Sequence, residues 1–254
     1  MGPSKTIERC DSSAAIMLSF FSETIFLSIK KDDPALTDQP VSHTSDSLPE
    51  ERFEKLYAAQ QMPWDIGRPQ RAFVEAGAAL QGRILDSGCG TGELALWLAE
   101  RGCTVTGVDF LAAPLEQART KAQQRGLAVN FLQMDARTIG TLAERFDSVT
   151  DCGLFHVFDD KGRTAYVAAL AKLLEPGARV CLLCFSDAEP GNHGPRRVSE
   201  SEIRQAFATG WEVEKIEPVR FEVVPGIVDA SFTSGGARAY FSILRRTDAD
   251  RGCA

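Results

Sequence analysis

The stretch Ile84-Leu85-Asp86-Ser87-Gly88-Cys89-Gly90-Thr91-Gly92-Glu93 constrains the fold more than any other part of the chain. Ile84 and Leu85 are a short apolar run that reads as a strand ending at Asp86. The glycines behind it let the backbone turn sharply with no Cβ in the way of a ligand. From Glu93 onward, Leu94, Leu96, Trp97 and Leu98 fall on a predicted helix with Ala95 and Ala99, and Gly102 supplies a left-handed closing residue. The N-terminus of that helix points at whatever the glycines approach.

Two kinds of nucleotide cofactor use such a turn. The register Gly90-x-Gly92-x-x-Ala95 satisfies the dinucleotide pattern, so an NAD-binding oxidoreductase is one reading. Asp86 argues against it, because a carboxylate at the strand tip repels a pyrophosphate and attracts an ammonium. The stretch resembles the Asp-x-Gly-x-Gly-x-Gly motif of class I S-adenosylmethionine-dependent methyltransferases and matches each specified position.

The rest of the chain alternates in the same way. Thr104 to Asp109 and Val129 to Asp135 read as strands around a helix from Ala113 to Arg125, which Gly126 closes. Phe146 to Asp151 is a further strand, followed by a helix from Asp160 to Leu174 and a strand from Ala178 to Phe185. Ser199-x-x-Glu202 offers a capping box for a short helix through Phe207. Trp211 to Val224 and Ala237 to Arg245 are strand-like runs with no helix between them, so they are expected to pair antiparallel. The expected fold class is therefore α/β: a single Rossmann-like domain with a mostly parallel seven-stranded sheet, a C-terminal antiparallel hairpin and helices on both faces. By family resemblance the strand order is 3-2-1-4-5-7-6.

Upstream, Ser47-Leu-Pro-Glu50 predicts a helix start, and Gln70 to Leu80 predicts a second helix after the irregular Met62 to Gln70 loop. The methyltransferase domain is expected over residues 51–246, after a poorly ordered extension over 1–50 and before a tail over 247–254. Ala14 to Ile29 is apolar but broken by Glu23 and serines, too interrupted to span a bilayer and without a small-residue signal cleavage site.

The acids at successive strand tips are the candidate cofactor groups. In an open parallel sheet, ligands bind beyond the carboxyl ends of the strands where the order reverses. The resemblance assigns Asp86 to the methionine ammonium, Asp109 to the ribose hydroxyls, Asp135 to the adenine amine and Asp151 to the methionine and acceptor side. Gly88, Cys89, Gly90 and Gly92 form the turn, and Phe110 and Ala136 complete the expected cofactor set with Trp64 and Arg68. Pro63-Trp64-Asp65-Ile66-Gly67-Arg68-Pro69 and Gly194-Pro195-Arg196-Arg197-Val198-Ser199 resemble segments of the thiopurine and halide/thiol methyltransferases, and the first also resembles a loop of bacterial heterocycle methyltransferases.

That resemblance implies methyl transfer from S-adenosyl-L-methionine to the O, N or S atom of a small, fairly apolar acceptor. A noncatalytic S-adenosylmethionine-binding or scaffolding module is the alternative. His156 is the candidate general base, with Asp151 beside it, and Phe155, Phe158, Phe185, Phe221 and Phe232 are candidate pocket walls. Ser186 to Val198 and Val224 to Gly236 are expected to close over the acceptor.

Composition narrows the partners. A net charge of −7 argues against a nucleic-acid backbone, and Arg196-Arg197 and Arg245-Arg246 read as solvated pairs. The seven cysteines are scattered through apolar contexts, which suggests reduced thiols in a cytoplasm. Cys181 and Cys184 sit within one predicted strand and so face opposite ways, which rejects a metal site.

Overall fold

The computed structural model describes residues 50–224, 226 and 232–248. The readings made for residues 1–49, including the Ser47 cap, lie outside the described residues, as do residues 225 and 227–231 of the segment expected to close over the acceptor and the tail beyond residue 248. Seven strands pair into one sheet: β1 (Arg83–Ser87), β2 (Thr104–Asp109), β3 (Val129–Gln133), β4 (Ser148–Cys152), β5 (Arg179–Phe185), β6 (Trp211–Phe221) and β7 (Ala237–Arg246). Their spatial order is β3-β2-β1-β4-β5-β7-β6. The pairs among β1 to β5 are parallel, whereas β7 runs antiparallel to both β5 and β6.

Residue choice explains where each strand lies. β5 is apolar along nearly its whole length and is buried on both faces, as a central strand must be. Its Cys181 joins one apolar cluster and its Cys184 the other, on opposite faces of the sheet. β6 carries Glu212, Glu214, Lys215 and Glu217 and accommodates Pro218, features that suit an edge strand whose outer N–H groups face solvent.

Helices cover both faces. α1 (Glu50–Ala58) and the short α2 (Arg71–Glu75) precede the sheet, and α3 (Glu93–Glu100) and α4 (Ala112–Arg125) connect its first strands. Leu94, Leu96 and Leu98 of α3 pack with Leu115 and Ala118 of α4 and Phe73 of α2 on one face. On the other, α5 (Asp160–Leu173) contributes Tyr166, Val167, Leu170 and Leu173, beside Ile203 of α6 (Glu200–Ala206). Ser199 and Glu202 form the expected capping box.

β4 begins at Ser148 rather than Phe146 and β6 ends at Phe221 rather than Val224, and two further boundaries differ from the sequence reading for identifiable reasons. The helix expected over Gln70 to Leu80 ends at Glu75 and continues as a 3-10 turn, Gly77–Ala79. Gly77 lies so near the Trp97 ring that a Cβ would stand 3.1 Å from it. β3 stops at Gln133 rather than Asp135, because the Asp135 side chain accepts the Arg137 N–H and caps the 3-10 helix Ala136–Thr141.

The turn between β1 and α3 depends on backbone that side chains resist. Gly92 has φ +84°, and a Cβ there would stand 2.8 Å from the Ala118 Cβ of α4. Gly102, with φ +86°, has nothing within 4 Å of the same position. Gly102→Ala should therefore lose about 1 kcal/mol from the backbone alone. Gly92→Ala should lose a further 1–3 kcal/mol or so from overpacking. Urea unfolding of the two variants side by side measures the difference.

Candidate active site

The glycine turn hangs on the end of β2. The N–H groups of Gly88 and Cys89 both donate to the Val108 carbonyl, at 2.8 and 2.9 Å. Asp109 takes the next one: its Oδ2 accepts from Gly90 N and its Oδ1 from Leu111 N, each at 3.0 Å. A carboxylate oxygen has lone-pair capacity for a second donor, so Asp109 can shape the turn and still receive a hydroxyl. Burial pushes its carboxyl above the usual range, against the N–H bonds of Leu111 and Gly90.

Asp86 lies beneath the turn, buried at 1% exposure. Its Oδ1 accepts from the Thr150 hydroxyl at 2.8 Å, and its Oδ2, with the Ala95 N–H directed toward the carboxyl, has no partner of strict hydrogen-bond geometry among the described residues. Burial pushes this carboxyl up to about 7 against the Thr150 bond, and the charge of Asp151 adds to the rise. A buried acid with an unused oxygen favours a cation above it through charge rather than surface contact.

An aromatic wall stands over the turn. Phe53 of α1 packs on Trp64 and Phe110, and Tyr57 packs edge-on against Trp64, with ring centroids 5.8 to 6.0 Å apart. The Tyr57 hydroxyl lies 3.0 Å from where a Cβ on Gly90 would be. Neither Phe53 nor Tyr57 stands out as a site residue in the sequence, although their spacing of four on one helix is the available signal. The loop carrying Trp64 is tied down by Asp65, which accepts from the Thr91 hydroxyl at 2.7 Å; Lys121 in turn donates to Thr91 at 2.9 Å.

Several expected cofactor residues are engaged elsewhere. Arg68 makes a two-pronged ion pair with Glu222, at 2.7 and 3.0 Å, so its guanidinium is committed to bracing the loop rather than left for a ligand. Asp135 accepts from Arg137 Nε at 2.9 Å and from its backbone N–H at 2.8 Å. Burial raises the Asp135 carboxyl, but the Arg137 contacts outweigh it and hold it below the usual range. Ala136 is buried at the start of the following turn.

The acceptor side corrects the expectation for His156. Its Nδ1 accepts the Phe185 backbone N–H at 2.9 Å, so the lone pair a base would use is occupied. Burial pushes its pKa down to about 3, and the positive charges of Arg197 and Arg196 act in the same direction. His156 is therefore a neutral structural side chain. Asp151 is corrected in the same sense: it is fully buried, and its Oδ1 accepts from Leu154 N at 2.9 Å and Phe155 N at 3.2 Å. It shapes the turn after β4 and has no surface to offer a ligand.

The phenylalanines divide between two places. Phe155 stacks near Phe207 and Phe158 near Tyr166 in the core beneath the sheet, so neither lines a pocket. Phe185, by contrast, meets Phe221 at 5.2 Å and Phe232 at 5.4 Å, with His156 at 5.0 Å. Arg197, expected as a solvated residue, lies over the Phe185 ring and donates to the carbonyls of Glu189, Pro190, His193 and Pro195. Buried Glu189 accepts from Thr233 and from Arg238 N, which joins the loop after β5 to the segment before β7.

Residues 84–177 match the methyltransferase domain family. A 2-heptyl-1-hydroxyquinolin-4(1H)-one methyltransferase of Mycobacteroides abscessus is 33% identical over 204 residues, covering 75% of this chain and 88% of that enzyme. The chain belongs to the class I S-adenosylmethionine-dependent methyltransferases. A probable thiol methyltransferase 2 of Arabidopsis thaliana is 31% identical over 188 residues, 72% of this chain and 78% of its own. A solved structure concerned with conversion of a disulfide bond into a thioacetal group during echinomycin biosynthesis aligns at TM-score 0.69 and 34% identity, covering 78% of this chain and 93% of that one. The fold is shared with Burkholderia thailandensis 1,6-didemethyltoxoflavin-N1-methyltransferase, at TM-score 0.60 and 24% identity over 78% of this chain and 87% of that one. These relatives set aside the oxidoreductase reading. Among the described residues, no helix is long and apolar enough to cross a membrane.

The buried acids have a consequence for stability. Burial pushes the Asp151 carboxyl up to about 7, as it does that of Asp86, so the folded chain holds protons that the unfolded chain releases. The stability they contribute is complete below about pH 4, falls as the pH rises to about 7, and then levels off. The urea midpoint without cofactor should be higher at about pH 5.5 than at about pH 7.5. Asp86→Asn, which cannot ionise, should lose roughly half of that fall.

Proposed function

We propose that the chain transfers the methyl group of S-adenosylmethionine to a small, flat heteroaromatic, phenolic or thiol acceptor that reacts as its anion. The observation that carries the cofactor reading is the glycine turn over Asp86, a buried carboxyl with an unused oxygen beneath a cleft that would hold a cation. Cys89 and the three glycines would lie against the cofactor, with Asp109 receiving the ribose hydroxyls and Phe110 and Ala136 beside the base. Trp64 would present its ring to the positive centre. When bound, the cofactor supplies an electrophilic methyl group, so the chain's own work is alignment and exclusion of water.

Phe185, Phe221 and Phe232 support the acceptor reading, since they form an apolar face at the ends of β5 and β6. The activities of the two relatives, on a 1-hydroxyquinolone and on a thiol, point the same way. Both acceptors bear an acidic X–H group that ionises without a strong base. That fits a site whose histidine is occupied.

Calorimetry should detect S-adenosylmethionine and S-adenosylhomocysteine, with NAD inert. Because a cation above Asp86 favours its ionised form, S-adenosylmethionine binding near neutral pH should release protons, read as a dependence of the binding enthalpy on the buffer. Absence of binding would overturn the reading.

The pH dependence of methyl transfer should follow the acceptor. Across a panel of phenols and thiols, the midpoint of the rate profile should move with the pKa of each acceptor. His156→Gln should leave those midpoints in place while lowering the thermal midpoint, because it disturbs the bond to Phe185. A midpoint that stays near pH 6 to 7 or so for all acceptors, and disappears in His156→Gln, would restore the histidine as a base.

A further inference from the structure

Three buried polar atoms meet under the tips of β1 and β4 without a partner of strict hydrogen-bond geometry. They are Ser87 Oγ, Asp151 Oδ2 and the Tyr166 hydroxyl. All three residues are 0% exposed. Ser87 and Asp151 are register partners across the parallel pair, so their side chains project from the same face of the sheet. Tyr166 rises toward that face from α5, and its hydroxyl faces both. An orphaned buried polar group costs about 1–3 kcal/mol, so three in one place call for a shared network.

The chemistry of the groups defines its direction. Above about pH 7, where Asp151 is ionised, its carboxylate accepts and does not donate, whereas a hydroxyl can do both. The chain of bonds consistent with this runs from the Ser87 O–H to the Tyr166 oxygen and from the Tyr166 O–H to Asp151 Oδ2. The first Asp151 oxygen is already occupied by the N–H groups of Leu154 and Phe155. Leu154 in turn presses on the glycine turn, where a Cβ on Gly88 would stand 3.1 Å from the Leu154 Cβ. His156, two residues on, bonds the backbone of Phe185. The segment from Gly153 to His156 thus touches both the cofactor cleft and the aromatic cluster.

We propose that Tyr166 is a positioning residue: with Ser87 it holds the second oxygen of Asp151, directly or through one internal water, and so fixes the Gly153–His156 turn between the two halves of the site. Its consequence for methyl transfer rests on the function proposed above. The ionisable groups facing Asp151 are Asp86 from β1, Cys152 of its own strand, Cys184 of β5 and Tyr166 of α5. Burial raises the last three well above their ordinary values, so they stay neutral, and Asp86 is the group of like charge.

The test is a carboxyl carbon-13 titration of the cofactor-free chain labelled at aspartate, with Asp151→Asn used to assign the signal. Tyr166→Phe removes a donor to the ionised form, so the Asp151 midpoint should rise by on the order of one pH unit, equivalent to the loss of one hydrogen bond to a charged group. Ser87→Ala should shift it less and in the same direction, and it carries the test if Tyr166→Phe does not fold. The backbone amide signals of Leu154 and Phe155 should titrate with Asp151 and follow its midpoint in each variant. An Asp151 midpoint that does not rise in either variant, or amide signals that ignore it, would overturn the proposal. The measurement needs no cofactor: a shifted midpoint in a chain that fails to bind S-adenosylhomocysteine leaves the network standing and removes the functional reading.

Discussion

The hold of β2 on the glycine turn is the contact on which the rest of the site depends. One carbonyl, that of Val108, receives two successive N–H groups, and the adjacent carboxylate of Asp109 receives the third of that series at Gly90. Without these bonds the turn would present unpaired donors in a buried place, and its backbone would be less closely placed for a ligand. The parallel register of β1 and β2 brings the donors to their acceptors, and α3 and α4 pack against the same face. Sheet order, helix packing and turn geometry are therefore one constraint rather than three.

Charge is arranged around that turn with a definite polarity. Asp86 and Asp109 lie beneath and beside it, whereas Arg196 and Arg197 lie near His156 on the acceptor side. Much of this charge is buried, and the chain tolerates it by letting the acids hold protons or by surrounding them with N–H donors. A cation bound above Asp86, as the proposed function requires, would favour its ionised form, while His156 stays neutral. On the proposed function, the same arrangement would leave the proton of methyl transfer to the acceptor.

The two loops on the acceptor side are more firmly joined than their glycines and prolines imply. Arg197 gathers the carbonyls of the loop after β5, and Glu189 binds the N–H groups of Thr233 and Arg238. Burial raises the Glu189 carboxyl, but those N–H bonds outweigh it and hold it below the usual range, so it stays ionised and keeps its grip. These joints are made by long side chains reaching for backbone, which composition alone cannot reveal.

The sequence by itself determined the strand, turn and helix around Asp86, the alternation that makes a parallel sheet, the antiparallel finish and the capping box at Ser199. Each is a local pattern, written in apolar spacing or in the backbone that a glycine permits. What only the tertiary structure decided was the task of each polar side chain. His156, Asp151, Arg68 and Arg197 look available in a sequence, yet each is claimed by a partner: the backbone of Phe185, the N–H groups of Leu154 and Phe155, Glu222, and a ring of carbonyls. Phe155 and Phe185 read alike in the chain but fall on opposite sides of the sheet. Tyr57 and Tyr166 lie on helices, yet meet residues far from them in the chain, Gly90 for the first and Ser87 and Asp151 for the second. A periodic pattern records which face is buried, whereas the distant partners of His156 and Arg68 are set by how the faces meet, and those of Asp151 and Arg197, though near in the chain, by the turns the backbone takes there.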